Sequence, residues 1–495
     1  MAYIFGDSFD LYATPADAVA GGYWDAGTAT AGISIIAGRF AGGQAFACAG
    51  GANNTLNKTS GVNDGVHHIV CAFRQTAALS GTTLGYYFQL SDGATAQCSV
   101  VFRSDGAILL TSGGPGGTVL ATYTGAVTIV NQWFAFEIEI VINNTTGSFA
   151  VRTNGATSNS FSATGLNTRG GTTNNYANKL TVAMNTAVNA QHTDDILWRS
   201  DASSVAWVGD VRTYVRMPAS DASVQFSRPN PTAFPLLVAP NVSTLSITAN
   251  GGRFAPFTAL VSGTVSTVTV PVAAASTANI KCAIYASSGG APTTVLGTAT
   301  PIAAPGIGTA TFTFGTPVSV TQGTQYWVAY NADTTSGSFG ASVTSIGVGG
   351  VITYASFPAN NPTGLSALAA AAFTVYITGT SNFPWVAESQ QDGATTYVYD
   401  SNVGDADFYG IGAIGVTPAS VVAVTTRGFL QKSDAGSRSG AVQLKSGSTT
   451  VQSTPGPLST TWAWMFRTDA TDPATGSAWT ATAVNNLQVG PTVTA

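Results

Sequence analysis

From Tyr3 to about Phe226, runs in which bulky apolar side chains fall on every second residue are separated by turns, and no stretch keeps a helical period. A repeat of two belongs to a half-buried strand, so this alternation confines the region to antiparallel β structure. Tyr86, Phe88 and Leu90 alternate with smaller or polar neighbours before Ser91-Asp92-Gly93. Cys98, Val100 and Phe102 do the same before Ser104-Asp105-Gly106. Glycine at such points can adopt the positive φ of a tight hairpin turn. The clearest strand is Trp133 to Ile142. It directs Phe134, Phe136, Ile138, Ile140 and Ile142 to one face, and leaves Glu137 and Glu139 on a solvated outer face. Asp194-Asp195-Ile196-Leu197-Trp198 and Trp207 to Met217 read as two short closing strands joined by a polar loop, Arg199 to Ala206. In the second, Val211, Thr213 and Val215 fall on one side and Arg212, Tyr214 and Arg216 on the other, with Pro218 as the stop. The expectation is an all-β sandwich that this pair closes.

At 495 residues the chain has room for about three domains. Residues 1–227 form the first. Arg228-Pro229-Asn230-Pro231-Thr232-Ala233-Phe234-Pro235 reads as a stiff linker. Residues 236–381 follow as a second β-sandwich, in which Cys282, Ile284 and Ala286, then Phe312 and Phe314, then Tyr326, Val328 and Tyr330 keep the alternation. Residues 382–495 form a third unit, with strands at Val421 to Thr425 and Trp462 to Phe466. Val484 and Leu487 share a face of a short helical turn.

Composition narrows the function. Charged residues are 8% of the chain, against about 25% in an average soluble protein, and the net charge is −5. Nothing here is a basic footprint for nucleic acid. No apolar run approaches the roughly 18 residues of a membrane span. The N-terminus, Met1-Ala2-Tyr3-Ile4-Phe5-Gly6-Asp7, lacks the basic and apolar regions of a signal peptide, so the expectation is no secretory export. Cys48, Cys71, Cys98 and Cys282 show no C-x-x-C spacing and read as free core thiols, with a disulfide framework as the alternative.

The run Trp133…Phe136-Glu137-Ile138-Glu139-Ile140…Gly147-Ser148-Phe149-Ala150-Val151…Asn154-Gly155 resembles the laminin G-like and concanavalin A-like jelly roll. Gly38-Arg39-Phe40…Gly43-Gln44-Ala45-Phe46 is similar to an early strand of that family. Asp194-Asp195-Ile196-Leu197-Trp198…Gly209-Asp210-Val211-Arg212 resembles versions found in tailed-bacteriophage virion proteins. So do the opening and closing phrases of 382–495, from Asp392-Gly393 to Tyr409 and from Pro473 to Gly490. In such proteins the last module follows directly on a closing strand, so residues 236–381 read as an insertion. That middle unit resembles accessory sandwiches, some of which bind carbohydrate. The resemblance implies a virion structural protein, on the tail or the capsid surface.

The chemistry-bearing residues are few. There is no H-E-x-x-H, no G-x-S-x-G and no P-loop around the three histidines, His67, His68 and His192. Glycosidases of the concanavalin A-like fold resemble one another in a strand with carboxylates at alternate positions, Glu-x-Asp-x-Glu; here only Glu137 and Glu139 are present, without the third. Asp194 and Asp195 stand at a strand start. Jelly rolls of this resemblance often hold calcium near such loops, and Asp7 and Asp10 join them if the N-terminal strand lies beside the closing strand. Turn capping is the alternative for these four aspartates. Trp198, Trp207, Tyr214, Trp327, Trp462 and Trp464 are sugar-stacking candidates, with core or subunit-interface packing as the alternative.

The expectation is therefore a non-enzymatic structural protein of a tailed-phage virion. It would be exposed on the particle, homo-oligomeric, in contact with other virion proteins and able to touch host-surface glycans. A dedicated glycan-binding tail-fibre protein is the alternative, ahead of a glycoside hydrolase.

Overall fold

A computed structural model of the chain describes residues 3–27, 33–48, 55–184, 191–227, 243–259, 263–321, 324–342, 347–368, 372–373, 376–379, 382–388 and 397–495. The Arg228–Pro235 linker and residues 392–396, which open the phrase from Asp392 to Tyr409, lie outside these residues. The chain divides into two compact units. Met1–Gln225, Val386–Thr396 and Asp400–Ala495 form one; Phe226–Trp385 and Tyr397–Tyr399 form the other.

The first unit is built on an antiparallel two-sheet jelly roll. One sheet runs Phe161–Leu166, Gly147–Thr153, Trp133–Val141, Val66–Gln75, Gln191–Asp201, Gln44–Cys48 and Ile33–Ala37, with Tyr3–Asp7 also paired to Gln191–Asp201. The other runs Val119–Tyr123, Ile108–Ser112, Thr95–Arg103, Leu84–Asp92, Ala177–Met184, Thr55–Asp64 and Ala26–Gly27. The alternation read from the sequence fills the space between them: Ile69, Cys71, Phe73, Tyr86, Phe88, Val100, Phe102, Phe134, Phe136 and Ile138 are all buried in one core. Each such large apolar side chain contributes about 1.5–3 kcal/mol by leaving water. Gly93 and Gly106 turn with positive φ, as their sequence contexts require.

Residues 400–495 complete this unit. Pro218–Ser223, donated from before the second unit, pairs with Phe408–Ile411. Gln488–Val493, Ser439–Ser446 and Thr449–Gln452 extend that sheet. A separate ribbon, Val424–Leu430 with Ala463–Asp469, leans Trp464 and Phe466 onto the jelly-roll core. Its Arg427 enters the core beside Asp7 and Tyr23. Val484 and Leu487 are buried, at and just beyond the short helix Ala481–Asn485. In the second unit, two antiparallel sheets enclose Val268, Cys282, Ile284, Phe312, Val328 and Tyr330. Among the described residues no helix is long and apolar enough to cross a membrane. Cys71, Cys98 and Cys282 are free and buried.

Several local expectations need correction. Trp207 to Met217 joins no sheet; carboxylate side chains rather than a neighbouring strand take some of its backbone N–H groups. Pro218 opens a strand instead of ending one, at a strand start where its missing N–H costs nothing. Gly38-Arg39-Phe40 is the turn between Ile33–Ala37 and Gln44–Cys48, closed by Gly38 N donating to the Gly43 carbonyl. Val421 makes only an isolated bridge, and the strand begins at Val424. A six-residue helix, Pro15–Ala20, was not legible as a period. Its signal is the cap, with Thr14 and Asp17 forming a capping box and proline in the first turn.

Candidate functional site

The outward face of the first sheet carries the chemistry. Because side chains alternate, the strands that send Ile69, Cys71 and Phe73 inward send His68, Val70, Ala72 and Arg74 outward. Register then sets the rows: Trp133 beside Arg74 beside His192, Ala135 beside Ala72 beside Asp194, and Glu139 beside His68 beside Arg199. After Asp201 the chain turns back, and Val205 to Arg216 form a strap over part of this face.

At one end the strap is fastened by Glu137. Its two carboxylate oxygens accept from Val208 N and Gly209 N, each at 2.7 Å. His68 lies between Glu137 (Nδ1, 3.3 Å) and Glu139 (Nε2, 2.8 Å). Burial opposes a charge on this imidazole, but the two carboxylates outweigh it and hold the His68 pKa above its ordinary value. With a carboxylate facing each ring nitrogen, the site favours the imidazolium form, which can donate to both. Trp207 and His68 meet edge to face at 4.7 Å between centroids, and Arg152 lies 4.0 Å over the Trp207 ring. Glu137 is thus not on a solvated face: it is 2% exposed, because the strap covers it.

The four aspartates do come from neighbouring elements. Tyr3–Asp7 runs antiparallel to Gln191–Asp201, with Asp7 opposite Ile196. Their oxygens, however, are already engaged. Asp7 accepts from Phe9 N, Tyr12 Oη and Trp24 Nε1. Asp10 accepts from Ser8 Oγ and Gln44 N. Asp194 accepts from Arg39 N and Asp195 N. Asp195 Oδ1 accepts from Thr213 N at 2.8 Å, while Asp195 Oδ2 is buried without a partner. Calcium takes about 6–8 oxygens, and among the described residues no three acidic, histidine or cysteine groups converge to hold a metal. The donor set does not fit calcium. Burial, then the charge of Asp194, raises the Asp195 pKa; burial likewise raises that of Asp194. Asp195 also adopts a φ of 51°, a left-handed conformation that aspartate tolerates better than most residues.

Beyond the strap's fastening lies a more open row. The Arg74 guanidinium sits 4.7 Å over the Trp133 ring and its Nη2 lies 2.8 Å from His192 Nδ1. Burial and the Arg74 charge push the His192 pKa down to about 4, so this imidazole is neutral and accepts from Arg74. All three side chains are half-buried. On the strap, Arg212 lies between Phe40 (3.8 Å) and Tyr214 (4.3 Å).

Of the aromatic candidates read from the sequence, Trp198 is wholly buried against Tyr3 and His67. Trp327 is buried in the second unit. Trp462 and Trp464 pack on Phe429. Trp207 and Tyr214 are half-buried beneath arginines. Trp133, Arg74 and His192 did not stand out in the sequence, because only strand register places them side by side.

A family model described as a domain of unknown function, DUF4082, matches residues 251–392, within the second unit and its borders. No curated protein matches the chain. Among solved structures, the catalytic domain of a glycoside hydrolase family 131 protein from Coprinopsis cinerea is 14% identical, with 41% of this chain and 96% of that chain covered and a TM-score of 0.25. The winged bean acidic lectin complexed with methyl-alpha-D-galactose is 8% identical, covering 41% and 99%, at 0.25. The calcium-bound exoplasmic/lumenal domain of VIP36 is 8% identical, covering 37% and 84%, at 0.24. At these values the likeness concerns the all-β fold alone, and none of these comparisons points to a phage.

Proposed function

We propose that the protein is a non-enzymatic carbohydrate-binding protein that acts from a surface as a homo-oligomer. The observation that carries this reading is the Trp133–Arg74–His192 row. It sets an indole, a planar guanidinium and a neutral imidazole side by side on a half-open sheet face. Aromatic rings take the apolar faces of sugars, and a few fixed polar groups orient the hydroxyls. The non-enzymatic part is supported by Glu137 and Glu139. A glycosidase needs one carboxyl to donate a proton and another to attack or to activate water. Here Glu137 is closed under the strap and both groups are held by His68.

The setting is the surface of a tailed-phage virion, in contact with other virion proteins. Support for it is the sequence resemblance of Asp194–Trp198 and Gly209–Arg212. Few charged residues, 8% of the chain, leave little repulsion between copies. A glycan array probed with the whole chain tests the binding. Capture of at least one glycan, lost in Trp133→Ala without loss of folding, is expected; binding to none would overturn it. Any polysaccharide turnover that vanishes in Glu137→Gln would overturn the non-enzymatic part. A monomeric mass at all concentrations in light scattering, with absence from purified particles, would remove the proposed setting.

A further inference from the structure

The strap carries a cation that the structure leaves uncommitted. Arg39, Arg103, Arg438 and Arg467 are each paired with a carboxylate. Arg212 is not. Among the described residues it has neither a hydrogen bond nor an ion pair, only its two ring contacts, Phe40 at 3.8 Å and Tyr214 at 4.3 Å, and it is exposed. Contact with two aromatic rings restricts the guanidinium, and without a hydrogen bond or ion pair its N–H groups are left to solvent. A stacked guanidinium has lost its freedom before any ligand arrives, and its edge matches the two oxygens of a carboxylate.

The charged neighbours do not fill that edge. Arg212 acts electrostatically on Asp10, yet the Asp10 oxygens accept from Ser8 and Gln44. Asp210, two residues away on the strap, gives both its oxygens to Arg39. Arg216 donates to the carbonyls of Ile414 and Val215 and lies 5.5 Å over the other partner ring, Tyr214. The chain as a whole carries −5, so a polyanion gains nothing from the general field and must be recognised locally.

We propose that Arg212, held by Phe40 and Tyr214, is a carboxylate-binding subsite that selects acidic sugars. This rests on the carbohydrate-binding reading and adds the class of glycan. The sugar acid's carboxylate would take the two N–H groups of the exposed edge, while its ring stays outside the stack. Lysine could not replace this arginine, because a point charge neither stacks between two rings nor offers a planar fork.

The test is calorimetry on the whole chain with three probes: an oligogalacturonate, the same oligosaccharide with its carboxyls reduced to alcohols, and a sulfated oligosaccharide without carboxylates. The expected result is tighter binding of the uronate than of its reduced form by about tenfold, the scale of one charge-assisted bidentate contact. Arg212→Ala and Arg212→Lys should each bring the uronate to the level of the reduced form and leave the reduced form unchanged. Thermal unfolding of both variants excludes misfolding, and the lysine variant retains the charge. Equal binding of the acidic and reduced forms, or preference persisting in both variants, would overturn the proposal. So would a sulfated probe that binds while the uronate does not. The carbohydrate reading itself stands or falls separately, on binding of the reduced form and its loss in Trp133→Ala.

Discussion

The guanidinium carbon of Arg427 lies 3.3 Å from the centroid of the Tyr23 ring, and Arg427 Nη2 donates to the Gly6 carbonyl at 3.0 Å. Asp7 stands 3.6 Å away. Burial disfavours this charge, but Tyr23 and Asp7 outweigh it and hold the Arg427 pKa above its ordinary value. Residues from the beginning and the end of the chain thus share one buried ion pair. Removing one partner of such a pair leaves the other uncompensated. Arg427→Ala should cost about 3 kcal/mol of stability, read by urea unfolding. A loss below about 0.5 kcal/mol would show that Asp7 is satisfied by Tyr12 and Trp24 alone.

Asp195 should make the protein less stable as pH rises. Its native pKa is raised, so the folded protein keeps a proton that the unfolded chain gives up above about pH 4. Stability is full below that range and declines from there through neutral pH. Asp195→Asn mimics the protonated form and keeps an acceptor for Thr213 N. The variant should match the native protein near pH 4 and exceed it by about 1 kcal/mol or more at pH 7. Parallel pH profiles for the two would rule this out.

Glu137 is expected to govern the strap. Glu137→Ala leaves Val208 N and Gly209 N without their acceptor and His68 with one carboxylate. Limited proteolysis should then cut faster between Ala202 and Arg216, with a stability loss of about 2–4 kcal/mol. The His68 contribution has the opposite pH sign to that of Asp195. Its raised pKa adds stability that is complete below about pH 6.5 and lost as pH climbs through the higher native value. An unchanged cleavage pattern would mean the strap is held by Asp195 and Arg39 without Glu137.

The second unit should be removable. Ser227 and Tyr399 pair antiparallel, each N–H donating to the other's carbonyl at 2.8 Å, so the two ends of the insertion are adjacent. Replacing residues 228–398, the second unit together with Val386–Thr396, by a two-residue Asn-Gly turn should leave the rest of the first unit unfolding in one cooperative transition. Aggregation, or loss of that transition in calorimetry, would show that the inserted unit is required.

How much of this was legible depended on what each residue's position is decided by. Tyr86, Phe88, Leu90 and the Phe134–Ile140 set were readable because burial on one face of a strand is a local pattern. In Trp207 to Met217 the alternation of side chains does not reveal whether a sheet accepts the segment; here Glu137 and Asp195 take the place of a neighbouring strand. The burial of Glu137 was invisible, since its cover comes from residues some seventy positions later. The adjacency of the N-terminal and closing strands enters the sequence reading only as a condition, and the sequence does not show that Tyr12, Trp24, Gln44 and Arg39 occupy the aspartates. Arg427 beside Tyr23 and Arg74 between Trp133 and His192 are products of tertiary register, which one sequence does not display.

The pairing of Pro218–Ser223 with Phe408–Ile411 has a consequence for how the protein is made. A ribosome adds about 5–20 residues per second, so the first of these strands waits roughly 10–40 s for its partner. Arg427 arrives later still, and until then Asp7 and Tyr23 lack the cation that neutralises their pocket. The jelly roll therefore leaves the ribosome unfinished, while the inserted unit can complete itself in the interval. Nascent chains that stall before Arg427 should be the ones that chaperones and proteases hold longest.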